Sequence, residues 1–379
     1  MNIVLDVAGS LTSPEKGGIS YFLEEYLATL AELDSVNHYY LFGSFYRNYR
    51  ERVAQLSIPQ RPNIHIATKK FPAKISMIAG NKFHISIPEI LLSKSKIDLF
   101  HALSGSLPFL RSIPSLFTLY DLSFAVNPEW YRDNWFSGIQ QEAERAHHII
   151  APSHATKKDI LHYYGIPEEK ISVIYLGCNS SLFYPRSKKE IQEFLHTKSA
   201  PSSYFLTVAT SAKRKNITGL LHSLTMIKEK INPFTLIVIA GSLRSSEEIS
   251  LLVEKTNLTK EVLIFHEVKK EELPYFYSGA KAFLFPSLYE GFGLPILEAM
   301  ACGTPVITSN LSSLPEIAGN AAILVDPYNP EEISASILRL CEDPVLEENL
   351  RNAGILRAAE FSWEKTVTET ISLYKKIIL

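Results

Sequence analysis

Phe285 to Ile307 reads FPSLYEGFGLPILEAMACGTPVI, and the rest of the chain is organised around it. The stretch opens on the end of an apolar run, Ala282-Phe283-Leu284-Phe285, whose length predicts a buried strand. It then turns through Glu290, Gly291, Phe292 and Gly293, enters a helix at Leu294 with Pro295 near its first position, and returns to a second strand at Pro305-Val306-Ile307. Two glycines let backbone come close to a ligand, and a first-turn proline starts a helix at that place. The unsatisfied N–H groups and positive dipole end of such a helix attract an anion. Two carboxylates bracket the turn: Glu290 before the helix and Glu298 inside it, about one turn from its start. Carboxylates accept hydrogen bonds from sugar hydroxyls but repel phosphate. An anion site flanked by acids therefore implies a ligand that carries both groups, a sugar nucleotide.

A chain of 379 residues exceeds what one core usually supports and predicts two domains of comparable size. With 46% hydrophobic residues, 21% charged and a net charge of -2, it reads as a folded protein and not as a nucleic-acid binder. Cys178, Cys302 and Cys341 are far apart and form no Cys-x-x-Cys, so we expect buried thiols in a reducing compartment, with neither a disulfide framework nor a zinc site. Met1 leads straight into a strand, Asn2 to Val7, and no apolar run reaches about eighteen residues. The expectation is a cytoplasmic protein without signal peptide or spanning helix.

Short apolar runs alternate with amphipathic ones along the whole chain. Strands are predicted at Asn2–Val7, Tyr39–Phe42, Ile64–Ala67, Leu99–Leu103, Leu116–Leu119, Ile149–Ala151 and Ile171–Leu176. After a polar, proline-containing stretch a second series follows, at Tyr204–Ala209, Phe234–Ala240, Val262–Phe265, Ala282–Phe285, Val306–Thr308 and Ala322–Val325. Strand and helix in alternation predict parallel sheets covered on both faces. The fold class is α/β with two Rossmann-like domains and a cleft between the carboxyl ends of their sheets. We place the N-terminal domain at 1–180, a linker at 181–203 and the C-terminal domain at 204–361. A last helix, 362–379, has apolar residues at helical spacing (Trp363, Val367, Ile371, Tyr374, Ile378).

A second charged constellation follows the strand that ends at Ala209. The turn Lys213-Arg214-Lys215-Asn216 puts cations next to a helix N-terminus, against the dipole that would stabilise that helix. A diphosphate seated between them would account for the placement, and a solvated basic turn is the competing reading. Near the start, Gly17 and Gly18 join the first strand to the first helix, as close approach to a phosphate or acceptor would require or as a plain tight turn would.

The Glu-x7-Glu spacing, with GFGLP inside it and EAMACGTPVI after it, resembles the nucleotide-sugar-binding segment of the retaining glycosyltransferases of family 4, group 1 type, which have the GT-B fold. The resemblance implies that Glu290 contacts the donor sugar and Glu298 the ribose hydroxyls, with Gly291, Phe292, Gly293 and Leu294 also in the donor site. It implies that Arg214 and Lys215 neutralise the donor diphosphate, that Gly17 and Gly18 lie over it, and that the last helix crosses back to the N-terminal domain. Relatives often read His-Asp-Leu where this chain has Tyr120-Asp121-Leu122, so Tyr120 and Asp121 join the catalytic set, with a neutral phenol in place of a sugar-binding histidine. His101 either faces the same cleft or is a satisfied core histidine. The run Val262 to Val268 matches the segment beside the nucleotide base; His266 stands where relatives often have glycine, and Val268 belongs to the donor set.

What the resemblance implies, then, is a hexosyltransferase, for mannose or glucose, that takes a GDP- or UDP-linked donor to a saccharide or lipid-linked acceptor in surface polysaccharide or glycolipid assembly. No cofactor and no metal are expected, since the chain contains no Asp-x-Asp. Two other readings stay open: a sugar-nucleotide-binding module without turnover, and an epimerase of the same fold acting on a nucleotide sugar. Between Arg61 and Lys96 seven Lys or Arg face one acid, Glu89, among interleaved Phe71, Met77, Ile78, Phe83, Ile85 and Ile87. Such a segment suits an anionic membrane surface, and equally a solvated face over core residues.

Overall fold

The computed structural model describes residues 1–7, 18–54, 58–92, 96–131, 138–231 and 234–378. It divides into two units. One holds Met1–Val126, Tyr131–Gly177 and Trp363–Leu379; the other holds Asn127–Trp130 and Cys178–Ser362.

The first unit is built on a seven-stranded sheet: β1 (Asn2–Asp6), β2 (His38–Phe42), β3 (Ile64–Ile66), β4 (Leu99–Ala102), β5 (Ser115–Thr118), β6 (His148–Ala151) and β7 (Ile171–Val173). Every pairing is parallel and the order is β3-β2-β1-β4-β5-β6-β7. The second sheet has six strands: β8 (Phe205–Ala209), β9 (Leu236–Ala240), β10 (Val262–Phe265), β11 (Ala282–Phe285), β12 (Val306–Ser309) and β13 (Ala322–Val325). Its order is β10-β9-β8-β11-β12-β13, again all parallel. Runs such as LIVIA in β9 and AFLF in β11 are buried along their whole length, because helices cover both faces of a parallel sheet.

Both sheets thus repeat one Rossmann-like topology, in which the strand order reverses between the first strand and the fourth. Ligands of such folds sit outside the carboxyl ends of those two strands. In the second unit they are β8 and β11, whose following turns are the basic turn and the glycine turn singled out in the sequence.

The helix Trp363–Ile378 buries Trp363, Thr366, Val367, Thr370, Leu373 and Tyr374, a stripe at three- and four-residue spacing. It packs in the first unit against the helix Gly18–Leu33: the Trp363 ring lies 5.5 Å from Phe22, and the Tyr374 hydroxyl lies 3.0 Å from that of Tyr26. The Thr366 hydroxyl donates to the Tyr175 carbonyl at 2.7 Å. His101 is a core histidine. Its Nδ1 is 2.6 Å from the Tyr374 hydroxyl and its Nε2 2.8 Å from the Thr118 hydroxyl, and burial pushes its pKa down to about 3, so the ring stays neutral.

The stretch 181–203, expected as a linker, belongs to the second unit and forms a helix at Lys188–Thr197. Ser187 and Glu190 close a capping box at its start, and Phe194 stacks on Tyr275 at 4.9 Å. Its polar surface hid it; the Ser-x-x-Glu spacing was the available signal.

Candidate functional site

After β8 the chain makes a single 3-10 turn, Lys213–Lys215, and Asn216 then takes the left-handed conformation, φ +52°, before the helix Ile217–Thr225. The Asn216 amide donates to the Pro286 carbonyl at 3.0 Å and the Pro327 carbonyl at 2.7 Å, so one side chain ties together the turns that follow β8, β11 and β13. The Leu288 N–H donates to the Arg214 carbonyl at 2.7 Å, a second link between the turns after β8 and β11.

These links bring three of the predicted residues together. Arg214 Nη1 lies 3.0 Å from Glu290 Oε2, and Lys215 Nζ lies 2.7 Å from Glu290 Oε1. The Lys215 ammonium also sits 4.7 Å from the Phe285 ring centroid. Glu290 is buried, with 8% of its surface exposed. Burial would raise its carboxyl pKa, but Lys215 and Arg214 outweigh burial and hold it below the usual range. The site therefore contains a fixed carboxylate between two fixed cations, with net positive charge.

The glycine turn is held in shape from outside. Ser312, itself left-handed at φ +58°, accepts from the Glu290 N–H at 3.2 Å and donates to the Glu290 carbonyl at 2.5 Å. The Ser313 hydroxyl is shared between the Glu290 and Phe292 carbonyls, at 2.8 and 2.6 Å. Gly293 has φ +120°, and a Cβ on it would fall 3.0 Å from Leu314 Cδ2, so the position needs glycine on both counts. The helix Leu294–Ala301 starts there with Pro295 in its first turn and no side-chain cap. Gly291, Phe292 and Gly293 are buried, and Leu294 is half-buried.

Glu298 is half-buried in that helix and accepts from the Tyr277 hydroxyl at 3.0 Å. Tyr277 is fully buried, and its carbonyl accepts from the Thr304 hydroxyl at 2.6 Å. Ser312, Ser313, Asn216 and Tyr277 thus orient the predicted residues, and of these only Asn216 was named in the sequence, as the end of the basic turn. Beyond β10, His266 and Glu267 are exposed and Val268 is half-buried. The left-handed residue is Glu267, φ +57°, one position after the His266 that was matched to the relatives' glycine.

In the first unit the expected residues do not gather in this way. Gly17 lies outside the described residues, and Gly18 is the exposed first residue of its helix. Tyr120 donates its O–H to the Leu103 carbonyl at 2.8 Å and sets its ring edge against Phe22 at 5.3 Å. Asp121 accepts from the Ser123 N–H and hydroxyl, at 3.0 and 2.7 Å, an Asx turn just ahead of the short helix Ser123–Val126. Two acids not foreseen stand close by in the same unit. Burial pushes Asp6, at the end of β1, up to about 7, with a bond from Ser104 opposing and the charge of Glu142 adding. Burial likewise raises Glu142, which accepts from the Leu107 N–H at 2.8 Å. Among the described residues, no three His, Cys, Asp or Glu side chains are grouped so as to hold a metal ion.

The family described as glycosyl transferases group 1 matches residues 188–357, and glycosyltransferase family 4 matches residues 17–182. O-antigen chain mannosyltransferase B of Escherichia coli is 32% identical over 283 residues, covering 73% of this chain and 74% of that protein. This chain belongs to the group 1, family 4 glycosyltransferases. The transferase is also 30% identical to O-antigen chain mannosyltransferase RfbU of Salmonella typhimurium over 245 residues, 63% of this chain and 64% of that one. Of the serotype-specific mannosyltransferase WbdA of Escherichia coli, 30% identical over 268 residues, it spans 33%. Among solved structures, sucrose-phosphate synthase from Thermosynechococcus elongatus superposes with a TM-score of 0.78 at 22% identity, over 99% of this chain and 98% of that one. HepE of Anabaena, in complex with UDP and glucose, gives 0.74 at 18% identity over 99% of each. The fold of the transferase is GT-B.

Proposed function

We propose that this glycosyltransferase moves a hexose, mannose before glucose, from a nucleoside diphosphate sugar to a saccharide or lipid-linked acceptor in polysaccharide assembly, with retention at the anomeric carbon and without a metal ion. The observation that carries the reading is the junction of Arg214 and Lys215 with Glu290 at the mouth of the glycine turn. Two cations beside an open helix N-terminus supply the charge that a departing diphosphate needs, and supply it already oriented. The relatives' printed activity supports mannose. UDP in the HepE complex keeps UDP beside GDP as the nucleotide to test.

In this reading the donor lies in the C-terminal unit. Arg214 and Lys215 hold its diphosphate, Glu298 accepts from the ribose hydroxyls, and Glu290 accepts from the sugar while keeping both cations in register. Gly291 to Leu294 bring backbone N–H groups to the phosphate, and Val268 borders the base. The acceptor hydroxyl oxygen bonds to the anomeric carbon on the side from which the diphosphate leaves, and the departing phosphate oxygen takes its proton. Catalysis is then positioning and electrostatics, with no covalent nucleophile. The protein works in the cytoplasm, peripheral at the inner face of the membrane; no described helix is long and apolar enough to cross one.

The test is transfer from GDP-mannose and UDP-glucose to oligosaccharide acceptors in EDTA, with the product anomer read by NMR. A retained anomer and an unchanged rate are expected. An inverted anomer, or activity that vanishes in EDTA and returns with magnesium or manganese, overturns the mechanism. One observation favours a binding module without turnover: the Tyr120 proton is already given to Leu103. Nucleotide-dependent thermal stabilisation with neither transfer nor donor hydrolysis would establish that second reading.

A further inference from the structure

We propose that the helix Ala73–Phe83, with the chain just after it, is a docking face for an anionic membrane surface. The helix turns its small residues inward. Gly80 is buried, and a Cβ there would fall 2.6 Å from Phe109 Cβ, so the helix backs directly onto the Phe109 backbone, with Ser76 and Ala79 half-buried beside it. His84 closes this seat: it caps the helix in the left-handed conformation and sets its ring edge on Phe109 at 5.4 Å. At about 100° per residue the opposite side carries Lys74, Met77, Ile78, Asn81 and Lys82, all exposed.

The exposed surface of this segment is wrong for one that faces water. Ile75, Met77, Ile78, Phe83 and Ile85 are each between 44% and 66% exposed, five large apolar side chains within eleven residues. A surface helix normally buries such residues, and a cluster left outside marks an interaction surface.

Charge decides the occupant. Lys70, Lys74 and Lys82 are exposed, and Lys70 lies 5.3 Å over the exposed ring of Tyr46. From Lys69 to Ser86 there is no acid, and the single acid between Arg61 and Lys96 has been withdrawn. The Glu89 carboxylate accepts from the N–H groups of Arg111, Ser112 and Ile113, at 3.1, 2.8 and 2.9 Å, and so is spent on the loop behind the helix. Lysines among exposed apolar side chains, in a segment that carries no acid from Lys69 to Ser86, match phosphate headgroups above hydrocarbon; in this proposal the lysine stems lie along the apolar residues and their ammonium groups reach the headgroups. The inference deepens the peripheral placement proposed above, and its test requires no transfer activity.

The full-length protein is mixed with phosphatidylglycerol vesicles and with phosphatidylcholine vesicles, and the bound fraction is read by sedimentation at rising sodium chloride. Binding to the anionic vesicles, falling with salt, is expected. The triple variant Lys70→Gln/Lys74→Gln/Lys82→Gln should weaken it about a hundredfold, at about 1 kcal/mol for each lysine near the surface. A control in the other unit, Lys230→Gln/Lys255→Gln/Lys260→Gln, should leave it unchanged. Met77→Ser/Ile78→Ser should lower binding at a salt concentration where the lysine term is screened. All these positions are exposed, so the fold is kept, and circular dichroism checks it. Equal binding to both vesicle types, no binding, or equal loss in the control overturns the proposal. So does a second copy of this chain occupying the face, seen as a dimer that Met77→Ser/Ile78→Ser dissociates.

Discussion

Asp6 and Glu290 are both acids at the carboxyl end of a parallel sheet, the first half-buried and the second buried, and the protein treats them in opposite ways. Glu290 follows β11 and lies between Lys215 and Arg214; burial is outweighed and the carboxylate stays charged. Asp6 ends β1 with a serine and a second acid for neighbours, and burial pushes it up to about 7. One topology thus supports a charged cluster in the second unit and a reluctant acid in the first. The sheet fixes where a strand-end side chain stands, and only the neighbouring turns decide its charge. The turn after β8 brings two cations to the strand end next to it. In the first unit, Asp6 has the Ser104 hydroxyl and the Glu142 carboxylate beside it.

The largest break in this contrast is loss of a cation from the cluster. Lys215→Ala should lower turnover by on the order of a hundredfold, the scale of one transition-state donor, while EDTA does nothing. It should also destabilise the fold by about 3 kcal/mol, because a buried carboxylate loses a partner. Glu290→Gln added to Lys215→Ala should restore most of that stability and none of the turnover. A double variant that recovers activity would show that the lysine serves the fold alone. As pH falls the cluster should persist through the ordinary carboxylate range and fail only below it, since a depressed pKa keeps its stabilisation until the folded value is crossed.

Next in size is the division between the two acids of the Glu-x7-Glu spacing. Glu298→Ala should weaken nucleoside diphosphate binding by about ten- to a hundredfold, the value of a charged hydrogen bond. Glu290→Ala should leave that binding intact or tighter, because it frees Arg214 and Lys215, while turnover collapses. Calorimetry with GDP and UDP separates the two, and an equal loss of affinity in both variants would sink the assignment.

Asp6 sharpens the comparison from the other side. Its pKa in the fold, about 7, is above its unfolded value, so its stabilisation is complete below the unfolded pKa and is lost as pH rises through about 7. Asp6→Asn never has to ionise. Relative to the parent it should gain a few degrees of Tm at pH 8 and nothing near pH 4, in scans across that range. A difference that stays flat with pH would show that Asp6 ionises normally and that the two strand ends are alike.

The sheets were the legible part of the molecule. Each strand among the described residues coincides with a run expected from the sequence, and where a parallel strand is buried along its whole length, as in β9 and β11, the run is apolar throughout. The site was legible where it is local, as at Gly293, whose φ only glycine tolerates readily, and at the Arg214-Lys215 turn. What could not be read depends on contacts across the sheet. Nothing near Ser312 in the chain says that it will bond Glu290, 22 residues away, and nothing near Asn216 points to Pro327. His101 was ambiguous because its partner, Tyr374, arrives from the last helix. At Tyr120 and Asp121 the sequence comparison pointed to chemistry, and the structure shows bonds to the chain's own backbone and to Ser123.

Tyr120 supplies the smallest expected effect, and it bears on the contrast between the charged cluster of the second unit and a neutral hydroxyl of the first. Its O–H is donated to the Leu103 carbonyl, and burial raises the phenol well above its usual pKa, so it stays protonated across the working range. A neutral hydroxyl with its one proton committed can still accept a hydrogen bond from a sugar; it cannot donate one without leaving Leu103. Tyr120→Phe keeps the ring against Phe22 and removes a single neutral bond, which costs about 1 kcal/mol of stability. Turnover should fall no more than severalfold and nucleotide affinity should not change. A hundredfold fall in turnover at unchanged affinity would mean that the phenol switches from Leu103 to the substrate during reaction, and the first unit would then hold a catalytic group.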